Sequence, residues 1–326
     1  MLARQAVFII GEQRSGSNLL RLILGSHSKI FAPHPPHILQ RFMPLLPYYK
    51  SIENGCSQLI DDILTLVNFN PIPWGFLPDK NQLKGDDLVA LFFDLMDLCA
   101  QNDEADIWVC KSMQNVNWAN QILAVRPNAK FIYLYRDPRD VAVSFKKTIV
   151  GEKHVYSIAS RWAQLQYKCL NLGETLSEQQ FIKVSYQQLV SENSATINRL
   201  NKFLAIDFET AMNSYYTNDE AKISSKSGKQ WVNLAKPILT NNFNKYLQNL
   251  QHAEIEIIES VCKNVMQELG FNLETLADLN FTHEDIDHFR NENEQLKADI
   301  KSKHVYKTKQ QALQQAFLKQ LQCNVY

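Results

Sequence analysis

Apolar residues in this chain gather in short runs, and each run stops at polar or charged residues. Val7-Phe8-Ile9-Ile10 leads into Gly11-Glu12-Gln13-Arg14-Ser15-Gly16, and Ile107-Trp108-Val109-Cys110 leads into Lys111-Ser112. Lys130-Phe131-Ile132-Tyr133-Leu134-Tyr135 leads into Arg136-Asp137, and Phe181-Ile182-Lys183-Val184 into Ser185-Tyr186. Unbroken β-branched and aromatic runs of this kind fit strands buried on both faces. Helical periodicity fills much of the rest, over roughly 17–27, 86–100, 115–125, 156–176, 193–204 and 251–269. Strands alternating with helices, at spacings too long for hairpins, predict an α/β fold: a mainly parallel sheet with helices on both faces. In such sheets ligands bind beyond the carboxyl ends of the strands. The four polar strand ends therefore predict one shared site at that edge.

Two stretches break the pattern. Ile30-Phe31-Ala32-Pro33-His34-Pro35-Pro36-His37 carries three prolines in four positions, which bar a helix and force an extended or turning path. Residues 38–76 are rich in large apolar groups (Phe42, Met43, Tyr48, Tyr49, Phe69, Trp74, Phe76) but are interrupted by Pro44, Pro47, Pro71 and Pro73. They read either as core or as the wall of an apolar acceptor pocket. Residues 283–322 differ in kind, with few β-branched residues and many Lys, Glu and Gln. We expect an α/β domain over 1–280 and a polar helical tail over 281–326, packed along the domain or used for self-association as a homodimer.

Composition narrows the partners. The 326 residues carry equal numbers of basic and acidic side chains, 34 each, so the overall basic bias of a nucleic-acid binder is missing. Six cysteines are scattered without C-x-x-C spacing, which argues for free or buried thiols in a reducing cytosol over a disulfide framework or a metal site. The first strand begins a few residues after Met1, too soon for a signal peptide, and no window has the length of an apolar transmembrane helix. The expectation is a cytoplasmic protein with no membrane span, no nucleic-acid partner and no bound metal.

The chemistry concentrates in the first loop. A buried strand, a turn with Gly11 and Gly16, and the apolar helix from Leu19 make an anion site: loop N–H groups and the helix dipole converge, and Arg14 adds a full charge. Ser17 and Asn18 are both good N-caps. The spacing of the two glycines matches a P-loop, but Ser17 stands where the P-loop lysine belongs, which weakens a nucleotide-triphosphatase reading.

Arg14-Ser15-Gly16-Ser17-Asn18-Leu19-Leu20 resembles the 5′-phosphosulfate loop, R-S-G-S/T-x-L-L, of sulfotransferases that use 3′-phosphoadenylyl sulfate (PAPS). The likeness is to the bacterial and tyrosylprotein-sulfotransferase-like branch of that P-loop-like fold. Tyr135-Arg136-Asp137-Pro138-Arg139-Asp140, with Ser144 eight residues after Arg136, resembles the family's 3′-phosphate motif. Lys111-Ser112 resembles its Lys-Thr/Ser element, and Val184-Ser185-Tyr186-Gln187-Gln188-Leu189-Val190 a segment whose Tyr lies near the nucleotide. Residues 224–250, with Trp231, Lys236-Pro237 and Lys245, are similar to the late segment that closes over the cofactor. The match runs in order over about residues 5–275 and leaves out the tail.

The resemblance implies a sulfotransferase moving the sulfuryl group from PAPS to a hydroxyl and leaving adenosine 3′,5′-bisphosphate. Arg14, Ser15, Gly16, Ser17 and Asn18 would hold the phosphosulfate; Arg136, with Ser144 as a second donor, would hold the 3′-phosphate. Tyr186 and Lys245 complete the nucleotide site, and Arg14 and Lys111 stabilise the developing charge. The family places a Glu or His base shortly after the first helix. Here that segment holds no carboxylate, so His34 or His37 must serve; position leans toward His34 and leaves the two open. Arg136-Asp137 as a plain surface ion pair, Lys146-Lys147 as a solvated face and each His as a hydrogen-bonded loop residue are the plainer readings. An ATP-dependent P-loop-like kinase and a non-catalytic nucleotide- or partner-binding member are the rival functions.

Overall fold

A computed structural model describes residues 4–226, 228–302 and 309–323. Five strands form one parallel sheet: β1 Gln5–Gly11, β2 Ile30–Phe31, β3 Ile107–Cys110, β4 Lys130–Tyr135 and β5 Phe181–Ser185, in the order β2-β3-β1-β4-β5. Register is set around Phe8, which lies opposite Cys110 on one side and Phe131 on the other. Because all strands run the same way, Arg14-Ser15, Lys111-Ser112, Arg136-Asp137 and Ser185-Tyr186 follow strands that end at one edge of the sheet.

Alternate side chains of each strand enter two separate cores, which is why the runs are apolar throughout. Phe8 of β1, Trp108 of β3 and Phe131 and Tyr133 of β4 face one core with Phe92 and Phe93 of the helix Leu88–Asn102. Phe8 stacks on Phe131 at 5.5 Å and meets Trp108 edge-on at 5.3 Å. Val7, Ile9, Val109, Ile132 and Leu134 face the other core, with Leu20 and Ile23 of the helix Ser17–Leu24.

The two-residue strand β2 was not among the four expected. It lies just before the prolines and pairs Ile30 with Ile107 and Phe31 with Trp108. The expected helix over 115–125 is a 3₁₀ turn, Met113–Trp118, followed by the helix Ala119–Val125. The proline-broken stretch forms short helices at Ile38–Phe42 and Leu46–Ser51 and a longer one at Gly55–Asn68. Half of its aromatics are buried in the core, Phe42, Tyr49 and Trp74, and Tyr48 and Phe76 pack against it partly buried.

The C-terminal stretch packs on its own chain. The helix His283–Ser302 lies against the helix Val155–Thr175 and the loop before it. Buried Asn293 accepts from the backbone N–H of Lys153 at 2.7 Å and of His154 at 3.1 Å, and Phe289 stacks on the His154 ring at 4.6 Å. In the helix Lys309–Cys323, Phe317 meets Phe69 edge-on and Leu321 is buried. The homodimer expected through these helices finds no support. Residues 303–308 and 324–326 of the expected tail lie outside the described residues.

Candidate active site

The first loop is shaped by two positions that only glycine fits. Gly11, at φ 130°, would drive a Cβ to 2.3 Å from the Leu134 carbonyl oxygen. Gly16, at φ 90°, would drive one to 2.3 Å from the Tyr186 ring. Gly16 occupies the N-cap position of the helix Ser17–Leu24, so Ser17 and Asn18, expected as caps, are its first helical residues. The left-handed turn at 16 leaves no room for a capping side chain, and no side chain caps this terminus. Its first-turn N–H groups are thereby left to an anion.

Beside this terminus lies a cavity of about 480 Å³, within the range of small-molecule sites. Arg14, Gly16, Ser17 and Asn18 line it from the loop, and Arg136 and Ser144 from the strand end and following helix. Tyr186 and Lys245 border it too, as do Asp140, Trp231 and Asn242. The helix Pro138–Lys146 starts here because Asp137 Oδ1 accepts from the Arg139 N–H and Pro138 takes the first helical position.

Arg136 is the most constrained cation. Nη1 donates to the Arg14 carbonyl at 3.2 Å; Nη2 donates to Asp140 Oδ2 at 3.3 Å and to the Asn242 carbonyl at 3.0 Å. Its guanidinium lies over the Tyr186 ring, 4.3 Å from the centroid. Its Nε is buried and finds no hydrogen-bond partner among the described residues, nor do Trp231 Nε1 and Asn18 Oδ1. Three polar atoms of the cavity wall thus stand buried and unsatisfied, a cost that a polar ligand relieves.

Arg14 and Ser144, assigned from sequence to opposite ends of one ligand, touch: Arg14 Nε donates to Ser144 Oγ at 2.9 Å. The helix Pro138–Lys146 runs back over the loop and carries Ser144 onto it. Burial and nearby Arg136 push the Arg14 pKa down to about 10. Ser15 is buried with an unpartnered Oγ but does not line the cavity. Lys147, expected on a solvated face, borders it.

Lys111, His34 and His37 form a second group. Burial, then the charges of Arg21 and Arg14, push Lys111 down to about 7. Burial, then Arg21 and Lys111, push His34 down to about 3, and burial with Lys111, Arg41 and His34 holds His37 well below its ordinary value. Arg14 and Arg21 are therefore close enough to depress Lys111, and Arg21 and Lys111 to depress His34. An anion placed among them would relax every one of these shifts.

Several residues escaped sequence reasoning. Asp140 is buried and accepts from the backbone N–H of Lys245 at 2.7 Å and of Tyr246 at 3.2 Å, tying the late segment to Arg136. Its position four residues after Arg136 on a helix was the available signal. Asn242 donates to the Tyr186 hydroxyl, and fully buried Arg21 pairs with Glu220. Arg21 carried no pattern that would single it out.

The model of the Sulfotransferase family matches residues 6–210. The chain belongs to this family. Protein-tyrosine sulfotransferase A of Caenorhabditis elegans is 23% identical over 208 residues, 62% of this chain and 50% of that protein. A protein of Aquifex aeolicus (strain VF5), described only as uncharacterized, is 28% identical over 227 residues, 66% of this chain and 27% of its own. The chain thus spans half the length, or less, of those two relatives. Among solved structures, the sulfotransferase domain from the curacin biosynthetic pathway superposes with a TM-score of 0.58 at 20% identity, covering 83% of this chain and 99% of that one. The sulfotransferase domain of the Synechococcus PCC 7002 olefin synthase gives 0.53, also at 20% identity, over 78% and 94%. The two share its fold.

Proposed function

We propose that this sulfotransferase moves a sulfuryl group from PAPS to a hydroxyl of its acceptor. The observation that carries the reading is the two-part cationic site. One part is a cavity with the free Arg136 Nε and Trp231 Nε1 in its wall, and the other is the group Arg14, Arg21 and Lys111 next to two histidines. A ligand with a phosphate at one end and a transferable anionic group at the other fits that layout. PAPS supplies the activated sulfuryl group and, on transfer, a good leaving phosphate.

In this reading the uncapped helix terminus at Ser17 and Asn18 receives the phosphosulfate, with Ser15 shaping the loop. Arg136 offers its two uncommitted N–H groups to the 3′-phosphate while Tyr186, Asn242 and Asp140 hold its plane. Ser144 joins the two ends, since its hydroxyl meets Arg14 from a helix that begins beside Arg136. Lys245 lies at the cavity edge with its backbone fixed on Asp140. Lys111 and Arg14 face the charge that grows on the sulfonyl and bridging oxygens. His34 or His37 takes the acceptor proton: the low pKa of each leaves it neutral at pH 7, the form a base needs. The residues up to about 280 carry this chemistry, and the unpaired cysteines suit a cytoplasmic setting.

The test is direct. Purified protein is incubated with PAPS labelled in the sulfuryl group and a cell extract, and the labelled product is isolated. Label must transfer to a hydroxyl-bearing compound. In the double variant His34→Ala/His37→Ala, transfer should fall by about 10²–10⁴-fold while adenosine 3′,5′-bisphosphate still binds. Undiminished transfer by that variant would return the base to another residue; no transfer by the wild type would refute the function.

A further inference from the structure

We propose that Asn70 is a positioning residue that locks His34 in the tautomer with its proton on Nδ1, so that Nε2 is presented to the acceptor as a bare lone pair. The proposal rests on the sulfuryl-transfer reading and decides which histidine is the base.

Asn70 lies just beyond the helix Gly55–Asn68, 36 residues from His34 in sequence, and its side chain is fully buried. The two residues are joined twice. Asn70 Nδ2 is 2.6 Å from the His34 backbone carbonyl, and Asn70 Oδ1 is 2.8 Å from His34 Nδ1. These contacts assign every hydrogen without reference to which amide atom was named nitrogen. A carbonyl only accepts, so the amide atom facing it must be the NH₂. The other end of the amide is then oxygen, which also only accepts, so the hydrogen between Oδ1 and the ring belongs to Nδ1. A neutral imidazole has one N–H; hence Nε2 has none. No described residue bonds His34 Nε2. Trp74 Nε1 donates to the same His34 carbonyl at 2.8 Å, so the backbone that carries the ring is clamped from two sides.

His37 lacks such a lock. Its Nδ1 faces the Ser112 hydroxyl at 3.1 Å, and a hydroxyl both donates and accepts, so either tautomer is satisfied there. His34 alone of the pair has its base form built in. During transfer, Nε2 of His34 accepts the hydroxyl proton as the acceptor oxygen bonds to sulfur. The bond from sulfur to the bridging oxygen breaks, and its electron pair leaves with the nucleotide phosphate. Asn70 Oδ1 keeps accepting from Nδ1–H of the imidazolium so formed, so no group has to turn.

The experiment is long-range ¹H–¹⁵N NMR of the full chain with ¹⁵N-labelled histidines, His34 being assigned from the signal lost in His34→Gln. In the wild type at pH 7, His34 should be neutral and protonated on Nδ1. In Asn70→Ala it should shift toward the Nε2–H form. In the nearly isosteric Asn70→Asp, which is also the safeguard against misfolding, the carboxylate should raise the His34 pKa by about one unit or more. A wild-type His34 protonated on Nε2, a tautomer indifferent to Asn70→Ala, or a pKa unmoved by Asn70→Asp would each overturn the proposal. Calorimetry with adenosine 3′,5′-bisphosphate runs alongside. Failure of the wild type to bind overturns the transfer reading beneath the proposal, whereas binding together with the wrong tautomer overturns the role of Asn70 alone.

Discussion

Removing the Arg136 side chain is the sharpest test of the proposed nucleotide site. A guanidinium has five N–H donors. Here one goes to the Arg14 carbonyl, one to Asp140 and one to the Asn242 carbonyl, which leaves two, Nε–H among them. Two charge-assisted bonds to a phosphate contribute about 1.5–3 kcal/mol each. The cavity opens to solvent, so the lower end applies, about 3 kcal/mol for the pair. At about 1.4 kcal/mol per tenfold, Arg136→Ala should weaken adenosine 3′,5′-bisphosphate by about 100-fold. Arg136→Lys restores the charge but not the planar fork and should recover only part of this loss. Isothermal calorimetry reads both, with thermal unfolding as the control for fold. The fold should survive, because Asp140, left without its cation, still accepts from the N–H groups of Lys245 and Tyr246. A dissociation constant within about threefold of wild type, in a folded Arg136→Ala protein, would refute the assignment of this arginine to a phosphate, since one such bond alone exceeds that factor.

Other perturbations probe the remaining parts. Gly16→Ala must force a Cβ against the Tyr186 ring at a positive φ, so nucleotide binding should be lost and stability should fall by about 1–3 kcal/mol; calorimetry and denaturant unfolding check it. Lys111, with its pKa pushed down to about 7, is only partly protonated near neutrality. An anion favours the protonated form, so binding should raise that pKa and draw a proton from solution between about pH 7 and 8, weakening as pH rises above 7. Calorimetry in two buffers of different ionisation enthalpy measures the uptake, and release or no exchange in wild type would contradict the cluster. Asn293→Ala orphans the N–H groups of Lys153 and His154 and should cost about 1–3 kcal/mol, seen as a lowered melting temperature.

The sheet was legible because strands buried on both faces cannot tolerate polar residues and must end where the chain leaves the core. Val7–Ile10 and Phe131–Leu134 carry that signal in full. β2 carried none, being two residues held by its neighbour β3 and not by its own pattern. The loop's anion site could be read from Gly11, Arg14 and Gly16, since backbone freedom and charge are local properties. The contact of Arg14 with Ser144 could not, because it depends on the path of a helix 130 residues away. Asn70 was invisible for a related reason: it lies in the turn after the helix Gly55–Asn68, 36 residues from His34, and only the fold brings the two together.

The hook of Asn293 onto Lys153 and His154 bears on how the protein becomes active as it is made. The loop it fixes follows the helix that carries Ser144, and Lys147 and Thr148 at the end of that helix line the cavity. Asn293 leaves the ribosome 140 residues after Lys153 and after Lys245, the last residue that lines the cavity, so the wall is synthesised before the part that braces it. At about 5–20 residues per second, a nascent chain holds every residue that lines the cavity for a few seconds before Asn293 is made. Timing of synthesis, and not only sequence, then sets when the cavity can first take its braced form.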